Sequence, residues 1–196
     1  MGFWIFVILA VAVVFWVIVA YNKLIAMKGQ TMNAWKQIDV QLKRRHDLIP
    51  NLVGAVKGAM EFEKDTLEAV IQARNQAVKL QADASPTGGI PALAKAEAAL
   101  GAALGRLNVV VERYPDLKAT ANVGQLQEEL TSTENRVAFA RQLYNDTATE
   151  YNVKQQQIPW NLVAPLAKAQ PVELWEIEEA AEREAPKVDL SMKPKA

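Results

Sequence analysis

The sequence predicts an all-α protein in which an N-terminal transmembrane helix leads into a helical bundle. Three observations carry this expectation. No charged side chain occurs from Phe3 to Tyr21, an apolar run of 19 residues. Further on, apolar residues recur in steps of seven, at Leu93, Leu100, Leu107 and Tyr114 and again at Leu130, Val137, Tyr144, Tyr151 and Ile158. No stretch alternates convincingly with the period of two that a half-buried strand requires.

The apolar run comes first. At 1.5 Å per residue it spans roughly 28 Å, close to the hydrocarbon core of a bilayer. Its aromatic residues are Phe3, Trp4, Phe6, Phe15, Trp16 and Tyr21, of which Trp4, Trp16 and Tyr21 have the placement of interfacial anchors. A cleavable signal peptide ending at Ala20 is the competing reading. Against it, the segment lacks a basic leader and is longer than the usual apolar stretch of a signal. The span is therefore expected to be retained as a single-pass anchor.

Charge sets the direction of that anchor. Behind it come Lys23, Lys28, Lys36, Lys43, Arg44 and Arg45 with one acid, Asp39, whereas the far end carries Glu173, Glu176, Glu178, Glu179, Glu182 and Glu184. The positive-inside bias places the N-terminus outside and the body in the cytoplasm, on the inner (plasma) membrane. The bases nearest the span can also rest on anionic head groups. Because basic and acidic ends cancel to zero net charge, no basic excess marks a nucleic-acid binder. The chain has no cysteine, which excludes disulfides, thiolate metal sites and thiol nucleophiles.

In the body, Trp35, Ile38, Leu42, Ile49, Leu52 and Val56 follow helical spacing, with Arg45 occupying one step of the stripe. Pro50 falls inside this segment, where it removes a backbone bond and disfavours α conformation at Ile49. The apolar phase survives across it, so a kink or a very short break is expected. The stripe then continues through Met60, Leu67, Val70, Ile71 and Val78. Residues 83–91 (DASPTGGIP) form a loop, and Pro91 suits the first position of the helix that follows. That helix carries the first seam, with Leu104 and Val111 between its steps, and Pro115 ends it. Asn122 and Gln125 have the spacing of a capping box and open the helix carrying the second seam, which Pro159 closes. Seams this long imply neighbours packed at shallow angles, as in a bundle. Past Pro165 and Pro171, a short acidic helix is expected over 172–184, with Leu174, Ile177 and Ala181 docking on the bundle. The chain thus divides into an anchor (1–21), a bundle (22–164) and a proline-containing acidic segment (165–196).

Catalytic motifs are absent from the sequence. One histidine cannot supply a zinc HExxH motif or paired Glu-x-x-His iron ligands, and no nucleophile elbow, phosphate loop or dinucleotide fingerprint occurs. No cofactor or metal is therefore expected. His46 can act as a proton shuttle or pH sensor, but a hydrogen-bonded or solvent-facing histidine near a kink accounts for it more simply. Arg44 and Arg45 are candidates for lipid phosphate or a partner carboxylate, although the stripe position of Arg45 points to a glutamate on another helix. Asn145 and Asn152 share one helix face and are read as interhelical hydrogen bonds fixing register, with a ligand site as the alternative. Arg74, Glu134 and Arg141 are read as members of buried ion pairs.

Several runs of residues resemble the LemA family. They are Tyr21–Asn22–Lys23–Leu24, Ile38 through Arg45, Asp47 through Val53 with Pro50 and Asn51, and Glu112 through Lys118 with Tyr114–Pro115. The pattern continues through Leu130 to Asn135 with Glu134, then Arg141, Tyr144–Asn145 and Tyr151–Asn152. The resemblance covers roughly residues 21 to 164. Family members commonly show Phe-Pro and a later Gly-Phe pair, where this chain has Ile158–Pro159–Trp160 and no such pair. The resemblance implies a four-helix up-and-down bundle behind a membrane anchor, structural roles for these motif residues, and no enzymatic activity. It also implies envelope-associated work, one relative taking part in magnetosome membrane formation.

The expected function is a non-enzymatic, membrane-tethered scaffold whose partners are the bilayer, further copies of itself or a membrane protein. The anchor has small residues at Ala10 and Ala12 but no GxxxG, a weak signal for pairing within the membrane. The apolar stretch from Trp160 to Leu166, together with Trp175, is expected to form a docking surface. The alternative is a regulatory module that binds a small ligand or peptide between helices, lined by Tyr144, Tyr151 and the two asparagines.

Overall fold

The structure is a computed structural model that describes residues 1–58, 60, 63–115 and 121–176. Among them are four long helices: α1 (Gly2–Lys57), α2 (Lys64–Asp83), α3 (Ile90–Val111) and α4 (Ala121–Gln156), followed by a 3-10 turn over Trp160–Leu162. The apolar run and the first bundle helix are one unbroken helix. Its N-terminal part carries the strongly apolar window expected of a membrane-crossing segment, and almost none of that window is buried.

Pro50 lies inside α1 without ending it. A proline cannot donate to the carbonyl four residues back, which here belongs to His46. Arg74 of α2 supplies the missing donor, its Nε reaching the His46 carbonyl at 3.1 Å. Arg74, expected in an ion pair, instead caps an orphaned carbonyl. The stripe that continued past Val56 does not continue in one helix. α1 stops at Lys57, at a Gly58 cap, and α2 begins at Lys64. The break thus falls at a residue of poor helix propensity rather than at the proline.

The packing makes the helices run up, down, up and down. Ile49 to Val56 of α1 pack with Leu67 and Val70 of α2, Leu100 to Val111 of α3, and Val123 and Leu130 of α4 in a distal core. Ala34 to Leu42 of α1 pack with Ile90 and Leu93 of α3 and Val137 to Ala148 of α4 in a proximal one. α1 is partnered chiefly by α4, and α2 by α3.

Both sevenfold seams lie in these cores. Leu93, Leu100, Leu104, Leu107 and Val111 are buried, as are Leu130, Val137, Tyr144 and Tyr151, while Tyr114 is half-buried against the distal core. Ile158 is not part of the seam, since α4 ends at Gln156 and the side chain is 83% exposed. α3 ends before Pro115, tightening into turn bonds from Arg113 to Val110 and from Tyr114 to Val111. Asn122 is already helical and does not cap α4.

The 83–91 loop closes with Ser85 and Gly88 exchanging backbone bonds of 2.8 and 3.0 Å. Gly89 has φ +89°, and a Cβ there would lie 3.2 Å from the Ala84 Cα, so glycine is required. Pro91 is the second helical residue rather than the first, still within the turn whose N–H groups have no intrahelical acceptor.

Helix lengths decide what covers the half nearer the apolar run. α2 is 20 residues and α4 is 36, roughly 30 and 54 Å, so the α2–α3 pair ends where Ile90 and Leu93 enter the proximal core and leaves the last turns of α4 uncovered. The segment after α4 fills the gap. Ala164 and Ala167 pack on Leu24. Beyond them, residues 171–176 run extended along the groove between α1 and α4, with Val172, Leu174 and Trp175 in the proximal core. An acidic helix was expected to begin at Val172. Residues 171–176 instead form an extended strap, its peptide groups bonded to side chains of α4 and to the Pro86 carbonyl rather than to one another. Ile177 and Ala181, expected to dock with it, lie outside the described residues.

Candidate functional site

Polar side chains meet in two places inside this fold. The first is a charged cluster between α1, α3 and α4. Arg45 stands in the apolar stripe of α1 and Glu97 in that of α3, four residues after Leu93 and three before Leu100. Matching phases bring them face to face. Arg45 Nη1 donates to Glu97 Oε2 at 3.0 Å, and His46 Nε2 bonds Glu97 Oε1 at 2.6 Å. All three side chains are at most 4% exposed. With Nε2 donating to the carboxylate, Nδ1 is left buried without a partner among the described residues. Glu134, 65% exposed, sits 3.7 Å from Arg45 at the rim and is not the buried acid expected.

Arg141 of α4 borders this cluster. Burial lowers its pKa to about 10, with Glu97 opposing the shift and Arg45 reinforcing it, so it stays charged at neutral pH. Among the described residues it makes no ion pair, contrary to expectation. Its guanidinium lies instead 4.3 Å from the centre of the Trp175 ring, a cation–π contact.

The second place is a clamp on the strap. Asn145 donates from Nδ2 to the Trp175 carbonyl at 2.9 Å and accepts the Trp175 N–H on Oδ1 at 2.8 Å. Asn152 does the same to Val172, at 2.8 and 2.9 Å. Two asparagines seven apart on α4 thus each satisfy both polar groups of one residue in an extended chain. They were expected to bond helix to helix; the partner is a peptide backbone because the α2–α3 pair stops short of this part of α4 and the strap covers the face that α1 leaves open. Between them the Tyr144 hydroxyl donates to the Glu173 carbonyl at 2.6 Å. The Glu173 N–H donates to the Pro86 carbonyl at 2.8 Å, and its carboxylate accepts the Ile90 N–H of the α3 first turn at 3.0 Å. Burial and the nearby Glu173 carboxylate push the Tyr144 pKa well above the usual phenol value. Tyr151 is buried beneath the same groove.

Trp175 supplies the side-chain anchor. It is 4% exposed, lying 6.3 Å from Trp35, which in turn meets Tyr144 edge-on at 5.5 Å. A free docking surface that includes Trp175 is therefore excluded, since this residue is already docked. Ile158, Leu162 and Leu166 remain exposed.

Phe3, Trp4 and Phe15 are exposed along the apolar part of α1, Tyr21 is partly so, and Trp16 meets Trp160 at 6.3 Å. Lys23, Lys28, Lys36, Arg44, Asp47, Pro50, Asn51 and Pro115 are exposed. Arg45 is buried, which removes it as a head-group ligand. Glu97 was missed in the sequence; its signal was an acid inside an apolar seam, the same sign that marked Arg45. Among the described residues no group of three His, Cys, Asp or Glu side chains is placed to hold a metal ion.

The LemA family pattern matches residues 34–190, further toward the C-terminus than the motifs alone extend. The chain is 28% identical over 180 residues to magnetosome protein MamQ 2 of Paramagnetospirillum magneticum, an alignment covering 81% of this chain and 65% of that protein. It is 28% identical over 163 residues to Protein LemA of Metamycoplasma hominis, covering 83% of this chain and 72% of that one. MamQ of Magnetospirillum gryphiswaldense is 25% identical over 182 residues, with 83% and 67% covered. The chain thus spans slightly less than two thirds of the length of MamQ 2. Neither name denotes an enzyme, and the apolar N-terminal helix fits a membrane location. Since the family match takes in the bundle part of α1, all of α2, α3 and α4, and the strap, the chain belongs to the LemA family.

Proposed function

We propose that this protein is a non-enzymatic scaffold, tethered through α1 with its body on the cytoplasmic face, that assembles with itself or with membrane-protein partners. The observation that carries this reading is the continuity of α1, which joins the apolar segment to the bundle core with no linker. A body held this way is presented in one orientation. Its buried charges are paired or stacked within the bundle, at Arg45–Glu97–His46 and Arg141–Trp175, rather than gathered around an open reaction site. Similarity to proteins named for the magnetosome supports work at a membrane. In intact cells, a membrane-permeant amine crosslinker is expected to trap multimers or partner adducts, and an impermeant one to trap none. A chain that stays single with the permeant reagent sinks the scaffold; adducts with the impermeant one sink the orientation.

The clamp favours a second reading, a module that recognises an extended peptide. Asn145 and Asn152 read only backbone, while the pocket of Trp35, Tyr144 and Arg141 reads an aromatic side chain. In this chain the occupant is its own strap. A labelled peptide of residues 170–176 is expected to bind the full-length Trp175→Ala variant, whose strap is loosened, far more tightly than the unaltered chain. Adding Asn145→Ala and Asn152→Ala is expected to abolish that binding. Fluorescence anisotropy reads both, and equal, weak binding to every variant would leave the clamp a purely internal fastening.

A further inference from the structure

The turn after α4 touches α1 at an unexpected level. Trp160 stacks edge-on against Trp16, ring centres 6.3 Å apart. Trp16 lies five residues inside the uncharged run that ends at Tyr21, roughly 7 Å along the helix axis. Ala20 is fully buried, and Ala164 and Ala167 pack on Leu24 just beyond. The turn therefore overlaps the end of the apolar run instead of stopping above it.

Its outward face is apolar. Ile158, Leu162 and Leu166 are 83%, 70% and 65% exposed, and no charged residue occurs from Ile158 to Ala167. Lysines bracket the patch. Lys154 holds its ammonium 4.4 Å from the centre of the Trp160 ring, and Lys168 is exposed at the other end. Apolar side chains pointing outward, a tryptophan pair and flanking cations are the composition of a segment seated at the head-group and acyl-chain boundary.

We propose that residues 158–167 form a second membrane contact, a wedge seated in the leaflet on the body's side of the bilayer, beside the emerging anchor. The occupant of the patch is lipid: acyl chains against Ile158, Leu162 and Leu166, anionic head groups against Lys154 and Lys168. This rests on α1 crossing the membrane, which fixes the level of Trp16. Two contacts, one through the helix and one beside it, hold the bundle against rotation about the anchor axis.

The chain lacks cysteine, so single cysteines can be introduced and labelled with an environment-sensitive fluorophore in the full-length protein. Four positions suffice: Val11→Cys in the anchor, Leu162→Cys and Leu166→Cys in the wedge, and Phe139→Cys on the exposed face of α4 well away from it. The protein is reconstituted into phosphatidylcholine–phosphatidylglycerol vesicles with or without lipids spin-labelled on the acyl chain. Expected are strong quenching at 11, clear quenching with a blue-shifted emission at 162 and 166, and none at 139. If 11 is quenched while 162 and 166 behave like 139, the wedge is wrong and the anchor stands. If 11 is also unquenched, the anchor itself is wrong. Shielding of 162 and 166 from aqueous iodide without lipid quenching identifies a protein neighbour as the occupant and overturns the lipid assignment.

Discussion

Replacing Glu97 by alanine is expected to destabilise the bundle by about 3–5 kcal/mol, the range seen when one partner of a buried ion pair is removed. The carboxylate is 1% exposed and serves two neighbours, Arg45 at 3.0 Å and His46 at 2.6 Å. Without it, two positively charged guanidiniums, Arg45 and Arg141, lie close together in a largely dry site, with only the exposed Glu134 at 3.7 Å from Arg45. The penalty comes from that stranded charge more than from lost volume. Chemical denaturation of the detergent-solubilised chain, followed by circular dichroism, measures it. The double variant Arg45→Met with Glu97→Leu is expected to regain a large part of the loss, since a packed apolar pair can replace a buried ionic one. A Glu97→Ala chain as stable as the original would show that the ion pair contributes nothing to the fold.

Replacing Trp175 by alanine is expected to release the strap while leaving the four helices folded. Removing a buried tryptophan costs about 3–5 kcal/mol. Here that loss is concentrated in an extended segment whose remaining hold is the partly buried Val172 and Leu174 and the bonds from Asn145, Asn152, Tyr144, Pro86 and Ile90. Net hydrogen bonds contribute about 1 kcal/mol each, so those that remain hold the strap in place less tightly once the ring is gone. Amide exchange at Val172 and Trp175, whose N–H groups are bonded to the asparagines, should rise by orders of magnitude. Exchange in the distal core around Leu104 and Leu107 should not change. If both regions loosened together, the strap would be part of the cooperative unit rather than a fastening laid on it.

Much of the architecture was legible because it rests on periodicity. An uncharged run and two sevenfold seams mark α1, α3 and α4 without reference to any partner. The break between α1 and α2 was not legible in the same way, since a stripe carries phase but not direction. Gly58 ends the helix, while Pro50, the stronger sequence signal, is neutralised by Arg74 from a helix that sequence spacing cannot place beside it. The candidate site was half legible. Arg45 and the asparagines stood out as polar residues on packing faces, and the kind of partner for Arg45 followed from that. The asparagines' partner depended on α2 and α3 being too short to cover all of α4. Nor could the strap be read as extended, because its sequence leaves open a short helix and its partners on α4 and the 83–91 loop decide otherwise.

The unbroken α1 also makes the protein a lever. From Tyr21 to Lys57 the helix extends roughly 54 Å at 1.5 Å per residue, with α4 braced along it. Spanning helices tilt over a range of roughly 0–40° with bilayer thickness and neighbours, so a change of about 10° swings the far end by about 9 Å. With α1 spanning the bilayer as proposed, thinning or curving the membrane displaces the distal tip by about the width of a helix, a stroke large enough to make or break a contact there.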